Sequence, residues 1–287
     1  MGKYGLIRVL DELCIEDGCY VIRDMLSDAH VKKPPQRQLI EKESQTVRAS
    51  VTLHLPKLKI PSLMDTKKWG AVREYFMPET LERAVIEAAL LGGGLSTNTS
   101  RTVSVLIIGI GSGAVANFIQ YNYFMHSFIK ILEKHEKMAR FLMDWFEIAV
   151  RQELQILLGD ELETLGKLAH DGERFNVVFY NMCPLSMEGH PCPSTRALPE
   201  RSIRDIIKLL EPSGVFIASL MTESVDATSS YNKQRRRFEQ YFNECILLAP
   251  LQVYNQVLSC TQAYHNFKER LKYRKFMDSL MPKHFRH

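Results

Sequence analysis

Between residues 103 and 113 the chain reads VSVLIIGIGSG, an unbroken apolar run of strand length that closes on three glycines at alternate positions. A segment this apolar on both faces of its pleat must be covered from both sides, which is the situation of a central strand in a parallel sheet. The helical pattern AVANFIQYNYF follows at once, so the glycines form the turn from a buried strand into a helix N-terminus. Bare backbone and unpaired N–H groups meet there, a combination suited to a nucleotide-like ligand.

The segments that follow repeat the rhythm. HSFIKILE (126 to 133), LQILLGD (154 to 160), FNVVFYN (175 to 181) and VFIASLM (215 to 221) have the length and apolar content of strands. Helical stretches separate them: KMARFLMDWFEIAV with Ala139, Leu142, Met143 and Phe146 inward, ELETLGKLAH, and LPERSIRDIIKLLEPSG with its Pro-Ser-Gly stop. Strand and helix in strict alternation with short links predict a doubly wound, mostly parallel α/β sheet. The end departs from this: after the basic helix SYNKQRRRFEQYF, the strands ECILLAPL and NQVLSCTQA are separated by too few residues for a crossover and must pair antiparallel.

Upstream, Pro78 and ETLERAVIEAALL (79 to 91) form a helix stopped by Gly92, Gly93 and Gly94. Residues 4 to 26 read as a β-hairpin turning at Glu16-Asp17-Gly18, and 30 to 66 as a loop with one edge strand, VTLHLPKLKI, interrupted by Pro56. The expected organisation is an N-terminal β-hairpin extension and linker over 1–72, the α/β body over 73–264, and a basic C-terminal helix or tail over 265–287.

Charge matters here for its position. Lysine and arginine outnumber aspartate and glutamate by 37 to 33 among 287 residues, a surplus of +4 that is too small for a protein that coats nucleic acid. The last 23 residues hold seven basic side chains against Glu269 and Asp278, so the tail is +5 and the rest is close to neutral. A solvated terminal helix accounts for that tail, and an acidic partner is the alternative. Arg235-Arg236-Arg237 reads as a solvated helix face that can serve the same partner. The six cysteines form no CxxC pair and none has metal-ligand spacing, so no metal site is expected. There is no leading apolar region and no apolar run near 18 residues. The expectation is a cytoplasmic protein with reduced thiols and no membrane segment.

Beyond the glycine run, two acids stand where strands end. Glu133 closes FIKILE, where a carboxylate can accept hydrogen bonds from both hydroxyls of a ribose; the alternative is an acid complementing the dipole of the next helix. Asp160 follows LQILLG, placed either to accept from an adenine amine or to cap ELETLGKLAH. Dinucleotides and S-adenosylmethionine both use a glycine loop with such an acid. Gly109-Ile110-Gly111-Ser112-Gly113-Ala114 even satisfies the relaxed GxGxxA form of the dinucleotide fingerprint. The Gly-Asp pair after the third strand and the closing antiparallel hairpin favour S-adenosylmethionine, whose enzymes are built on that seven-stranded plan. Tyr180, Cys183, His190 and Cys192 are candidates to line a substrate entrance after the fourth strand.

In order and spacing, VLIIGIGSG (105 to 113), Glu133 with KMARFLMDWF after it, Gly159-Asp160, FNVVFYN, Cys192-Pro193 and IIKLLEPSGVFIASL (206 to 220) resemble the class I S-adenosylmethionine-dependent methyltransferases of the spermidine-synthase-like branch. Within it the likeness is to the C-terminal domain of the elongation factor 1-alpha lysine and N-terminal methyltransferase family. It covers roughly residues 73 to 262, and the hairpin at 4 to 26 looks like that family's N-terminal β extension.

The resemblance implies a Rossmann-like methyltransferase fold with Gly109, Gly111 and Gly113 beside the methionine and ribose of the cofactor, Glu133 on the ribose and Asp160 near the adenine. It also implies that Asn181, ending the fourth strand, faces the reactive methyl group, and that the substrate is a protein amine, lysine or N-terminus, of an elongation-factor-like partner. Relatives typically carry an acid where this chain has Asn181. With no carboxylate from Asn181 to Ser186, the base a polyamine aminopropyltransferase needs is missing, and a catalytically inactive methyltransferase-like scaffold is the main rival reading.

Overall fold

The computed structural model describes residues 7–26, 34–54, 65–78, 80–123, 126–182, 192–222, 226–249 and 255–283. Contacts divide the chain into two units, residues 1–73 with 111–117 and 135–149, and residues 74–110 with 118–134 and 150–287.

The first unit carries a four-stranded antiparallel sheet, β1 (Ile7–Ile15), β2 (Gly18–Met25), β3 (Gln36–Glu41) and β4 (Val47–Thr52), in sequence order. The hairpin expected over 4 to 26 is β1 and β2. The stretch after it holds two strands: β3 reads QRQLIE and hides its burial behind polar letters, and β4 shares only Val51 and Thr52 with the edge strand expected over VTLHLPKLKI, whose residues 55–60 lie outside the described residues. Arg37 and Asp24 are both buried and form a two-point ion pair, Nε to Oδ1 at 2.9 Å and Nη2 to Oδ2 at 3.1 Å. Nη2 also donates to the Thr66 carbonyl and Nη1 to the Trp145 carbonyl, and the Trp145 ring lies 5.4 Å from the guanidinium carbon. A charge taken out of water is tolerable only when its donors are satisfied in this way. Helix α3 (Glu136–Phe146) belongs to this unit and ends on Glu147, whose φ of 55° is left-handed. Gly111 and Gly113 also lie here with φ of 54° and 63°, and a Cβ on Gly113 would overlap the Ile148 side chain.

The second unit is built on a seven-stranded sheet in the order β10-β11-β9-β8-β5-β6-β7. Its strands are β5 (Val103–Ile108), β6 (Ser127–Glu133), β7 (Leu154–Leu158), β8 (Phe175–Tyr180), β9 (Leu210–Leu220), β10 (Glu244–Leu248) and β11 (Gln256–Thr261). β5 to β9 are parallel, and β11 turns antiparallel to β9 and β10, as the short link between the last two strands requires. Strand β9 begins at Leu210, directly after helix α5 (Glu200–Leu209), so the Pro-Ser-Gly that reads as a helix stop lies inside the strand. One face of the sheet packs Leu106, Ile108, Val178 and Phe216 against Leu165, Ile203, Ile206 and Phe238 from α4 (Glu161–His170), α5 and α6 (Ala227–Phe238). Helix α1 (Leu81–Leu91) contacts β9, β11 and α7 (Arg270–Leu280). Gly94 exists because the chain runs hard against β8 and β9 there: a Cβ would come within 2.6 Å of the Asn176 carbonyl oxygen.

The cysteines correct one expectation. Cys14 is bridged to Cys19 and Cys245 to Cys260, Cys192 is also in a disulfide, and no free thiol is present among the described residues. The strand registers explain why sequence spacing gave no warning, since each bridged pair faces across an antiparallel ladder. No helix among the described residues is long and apolar enough to cross a membrane.

Candidate functional site

Parallel pairing brings the ends of four strands to one edge of the second unit. Ile108 of β5 lies beside Leu132 of β6 and Tyr180 of β8, and Glu133 lies beside Leu158 of β7. The residues that follow these positions, Gly109, Asp160 and Asn181, therefore gather with Glu133 along that edge. This is where an open α/β sheet offers a ligand crevice.

Gly109 has φ of 86° and donates its N–H to the Leu132 carbonyl at 2.9 Å. A Cβ there would lie 2.7 Å from Met182 Cγ and 3.2 Å from the Asn181 carbonyl oxygen. Both the backbone angle and the space demand glycine. Asn181 donates its N–H to the Ile108 carbonyl at 2.9 Å and is exposed. Glu133 is 8% exposed, and its Oε2 accepts from the Ile110 N–H at 3.4 Å. The carboxylate is thereby directed toward the glycine turn by the first backbone amide after Gly109.

Asp160 realises the capping alternative: its Oδ1 accepts from the Glu163 N–H at 2.9 Å and starts α4. The next residue, Glu161, did not stand out in the sequence. It is buried, and burial raises its pKa, helped by the negative charges of Glu133 and Asp160. The signal was present as a second acid directly after the Gly-Asp pair. Three carboxylates thus converge at the ends of β6 and β7. Such a cluster is relieved by a ligand that brings hydroxyl or amine donors.

Tyr180 does not line an entrance. Its hydroxyl donates to the Ala197 carbonyl at 3.2 Å; burial raises its pKa, the charge of Glu161 adds to that, and Arg237 opposes it. Cys192 is buried as well, while Cys183 and His190 lie outside the described residues. Arg237 is no part of a solvated face either. It turns inward and donates to the carbonyls of Leu198 and Pro193, and so holds the segment that returns toward β9. Arg236 stays exposed. Among the described residues the one group at metal-ligand distances is Glu12, Cys14 and Cys19, whose thiols are spent in the disulfide.

The structure superposes on human methyltransferase-like protein 13, solved in complex with SAH, with a TM-score of 0.58 over 70% of this chain and 93% of that one, at 20% identity. The fold is that of a class I methyltransferase. A probable spermidine synthase from Corynebacterium glutamicum ATCC 13032 gives a TM-score of 0.62 at 11% identity, covering 95% of this chain and 86% of the other. In sequence, the eEF1A lysine and N-terminal methyltransferase of Danio rerio is 25% identical over 165 residues, which is 57% of this chain. That segment spans 24% of the zebrafish protein, so the methyltransferase-fold chain matches only a minor part of its relative. No protein-family model matches the sequence.

Proposed function

We propose that the chain binds S-adenosylmethionine at the edge formed by Gly109, Glu133 and Asp160 and transfers its methyl group to a protein amine. The observation that carries the reading is the Glu133 carboxylate, almost fully buried and anchored on the Ile110 N–H directly after the glycine turn.

The residues present fit that cofactor. Gly109, with φ of 86°, keeps the backbone at this edge free of a Cβ atom. Glu133 would accept from ribose hydroxyls, and the neighbouring Asp160 and Glu161 would accept from the adenine amine or hold an ordered water there. The bound cofactor supplies an electrophilic sulfonium methyl. What the chain must add is a deprotonated amine in line with it, and positioning alone accounts for a large part of such a barrier. Asn181, exposed at the end of β8, would orient the amine through its side-chain carbonyl while solvent takes the proton. The substrate class rests on the relatives whose name describes lysine and N-terminal methylation of eEF1A.

One observation favours a second reading. The fourth-strand position carries a neutral Asn181, so a scaffold that binds the cofactor without turnover would have the same edge. Incubating the full chain with S-adenosylmethionine labelled in its methyl group and with purified elongation factor 1-alpha separates the two. Label in lysine or the N-terminus of the factor supports the proposal; cofactor binding without label supports the scaffold.

A further inference from the structure

The strongest unassigned feature lies at the other end of the sheet. Strand β11 runs antiparallel to β9 and finishes at Thr261 opposite Val215, on the side where β8 and β9 begin. From there the chain presents Tyr264, Phe267 and Leu271 at 78, 47 and 65% exposure, three large apolar side chains in water within eight residues. Isolated exposed apolar residues are ordinary, but a cluster with a polar rim marks a contact surface.

The rim is basic. Lys268, Arg270, Arg274 and Lys275 are all exposed in the same run of residues, and Arg274 and Lys275 stand one helical turn beyond Leu271. The acids of the segment are engaged: Glu269 accepts from Lys272 at 2.6 Å and Asp278 from Arg83 at 2.7 Å.

This surface is held in place. The His265 ring bridges Ser259 at 2.9 Å and Glu244 at 2.7 Å, and the Asn266 N–H donates to the Leu91 carbonyl at 2.9 Å. Met277 and Met281 are buried beneath the helix. Residues 265–283 are therefore a pre-ordered face of the fold, and binding to it requires little ordering of side-chain supports.

We infer that Tyr264, Phe267 and Leu271, ringed by Lys268, Arg270, Arg274 and Lys275, form a docking face for an acidic protein segment that carries its own apolar side chains. An apolar centre within a charged rim is the anatomy of a protein interface, and aromatic residues are its usual anchors. A single-stranded nucleic acid fits less well, because a phosphate backbone needs a continuous basic track and the chain outside the tail is close to neutral. The face lies away from Gly109 and Asn181, so a docked partner leaves that edge open. The inference does not depend on the cofactor reading.

A fluorescein-labelled 16-residue peptide with leucines at helical spacing among glutamates provides the test, read by anisotropy with the full chain. Polyglutamate of equal charge, a 20-nucleotide oligouridine and phosphatidylserine-containing vesicles serve as competing probes. The expected result is peptide binding that exceeds all three. It should weaken at least tenfold in the double variant Phe267→Ser, Leu271→Ser and in Lys268→Glu, Lys275→Glu, with melting temperature unchanged. No peptide binding, equal binding of polyglutamate, tighter binding of RNA or vesicles, or unaltered affinity in the variants would overturn it.

Discussion

Met182 occupies the space a side chain on Gly109 would need: its Cγ stands 2.7 Å from the position of that missing Cβ. The residue after the fourth strand's exit thus packs against the first glycine of the loop, so changes at either place reach the other. Gly109→Ala combines a φ of 86° with this overlap. It should cost about 1–3 kcal/mol of stability and lower SAH affinity at least tenfold. The checks are urea unfolding and calorimetry, and an alanine variant with native affinity would remove Gly109 from the cradle.

Glu161 should oppose folding at neutral pH. Its folded pKa is raised by burial and by the charges of Glu133 and Asp160, so the folded state holds its proton more tightly than the unfolded chain does. Stability contributed by the protonated acid is then present at low pH and lost as pH rises through and above the ordinary carboxylate range. Glu161→Gln should raise the melting temperature at pH 7, and the gain should vanish near pH 4. An equal gain at both pH values would assign the effect to packing instead.

The Arg37 and Asp24 pair predicts an asymmetric cost. Removing one partner, as in Asp24→Ala, leaves a buried guanidinium short of its counter-charge, and should destabilise the chain by about 3–5 kcal/mol in urea titrations. The double variant Asp24→Leu, Arg37→Met should recover much of that loss. A double variant as unstable as the single would show that the bonds to Thr66 and Trp145 matter more.

His265 makes the C-terminal hairpin sensitive to acid. Burial lowers its pKa below 6.5, against the opposing pull of Glu244. In Glu244 burial acts upward, but the hydrogen bonds from the His265 backbone and ring bring the net shift downward. Both depressed values give stability that is present above the unfolded pKa and lost as pH falls. Unfolding midpoints should therefore drop as pH goes from 7 to 5, and His265→Gln should flatten that slope. A variant with the native slope would place the acid sensitivity elsewhere.

The parallel sheet was legible because its strands are buried on both faces and bounded by clean helix signals, as VSVLII and FNVVFY show. The closing hairpin followed from a link too short for a crossover. Strand β3 escaped because its inward positions include Arg37, whose charge is paid for by Asp24, a partner 13 residues away that no local pattern announces. At the candidate site Glu133 was legible as the last residue of its strand, and Gly109, Asp160 and Asn181 as residues that follow strand ends. Glu161 was visible as an acid beside Asp160, but its burial and the inward turn of Arg237 were not, since each depends on which way a helix residue faces once α4 and α6 are packed.

Calorimetric titration of SAH into the full chain and into Glu133→Ala tests the central claim most directly. One saturable site in the native chain, weakened by about one to two orders of magnitude when the carboxylate is removed, is the predicted result. No binding to the native chain, or the same affinity in both proteins, would contradict the assignment of this edge to S-adenosylmethionine.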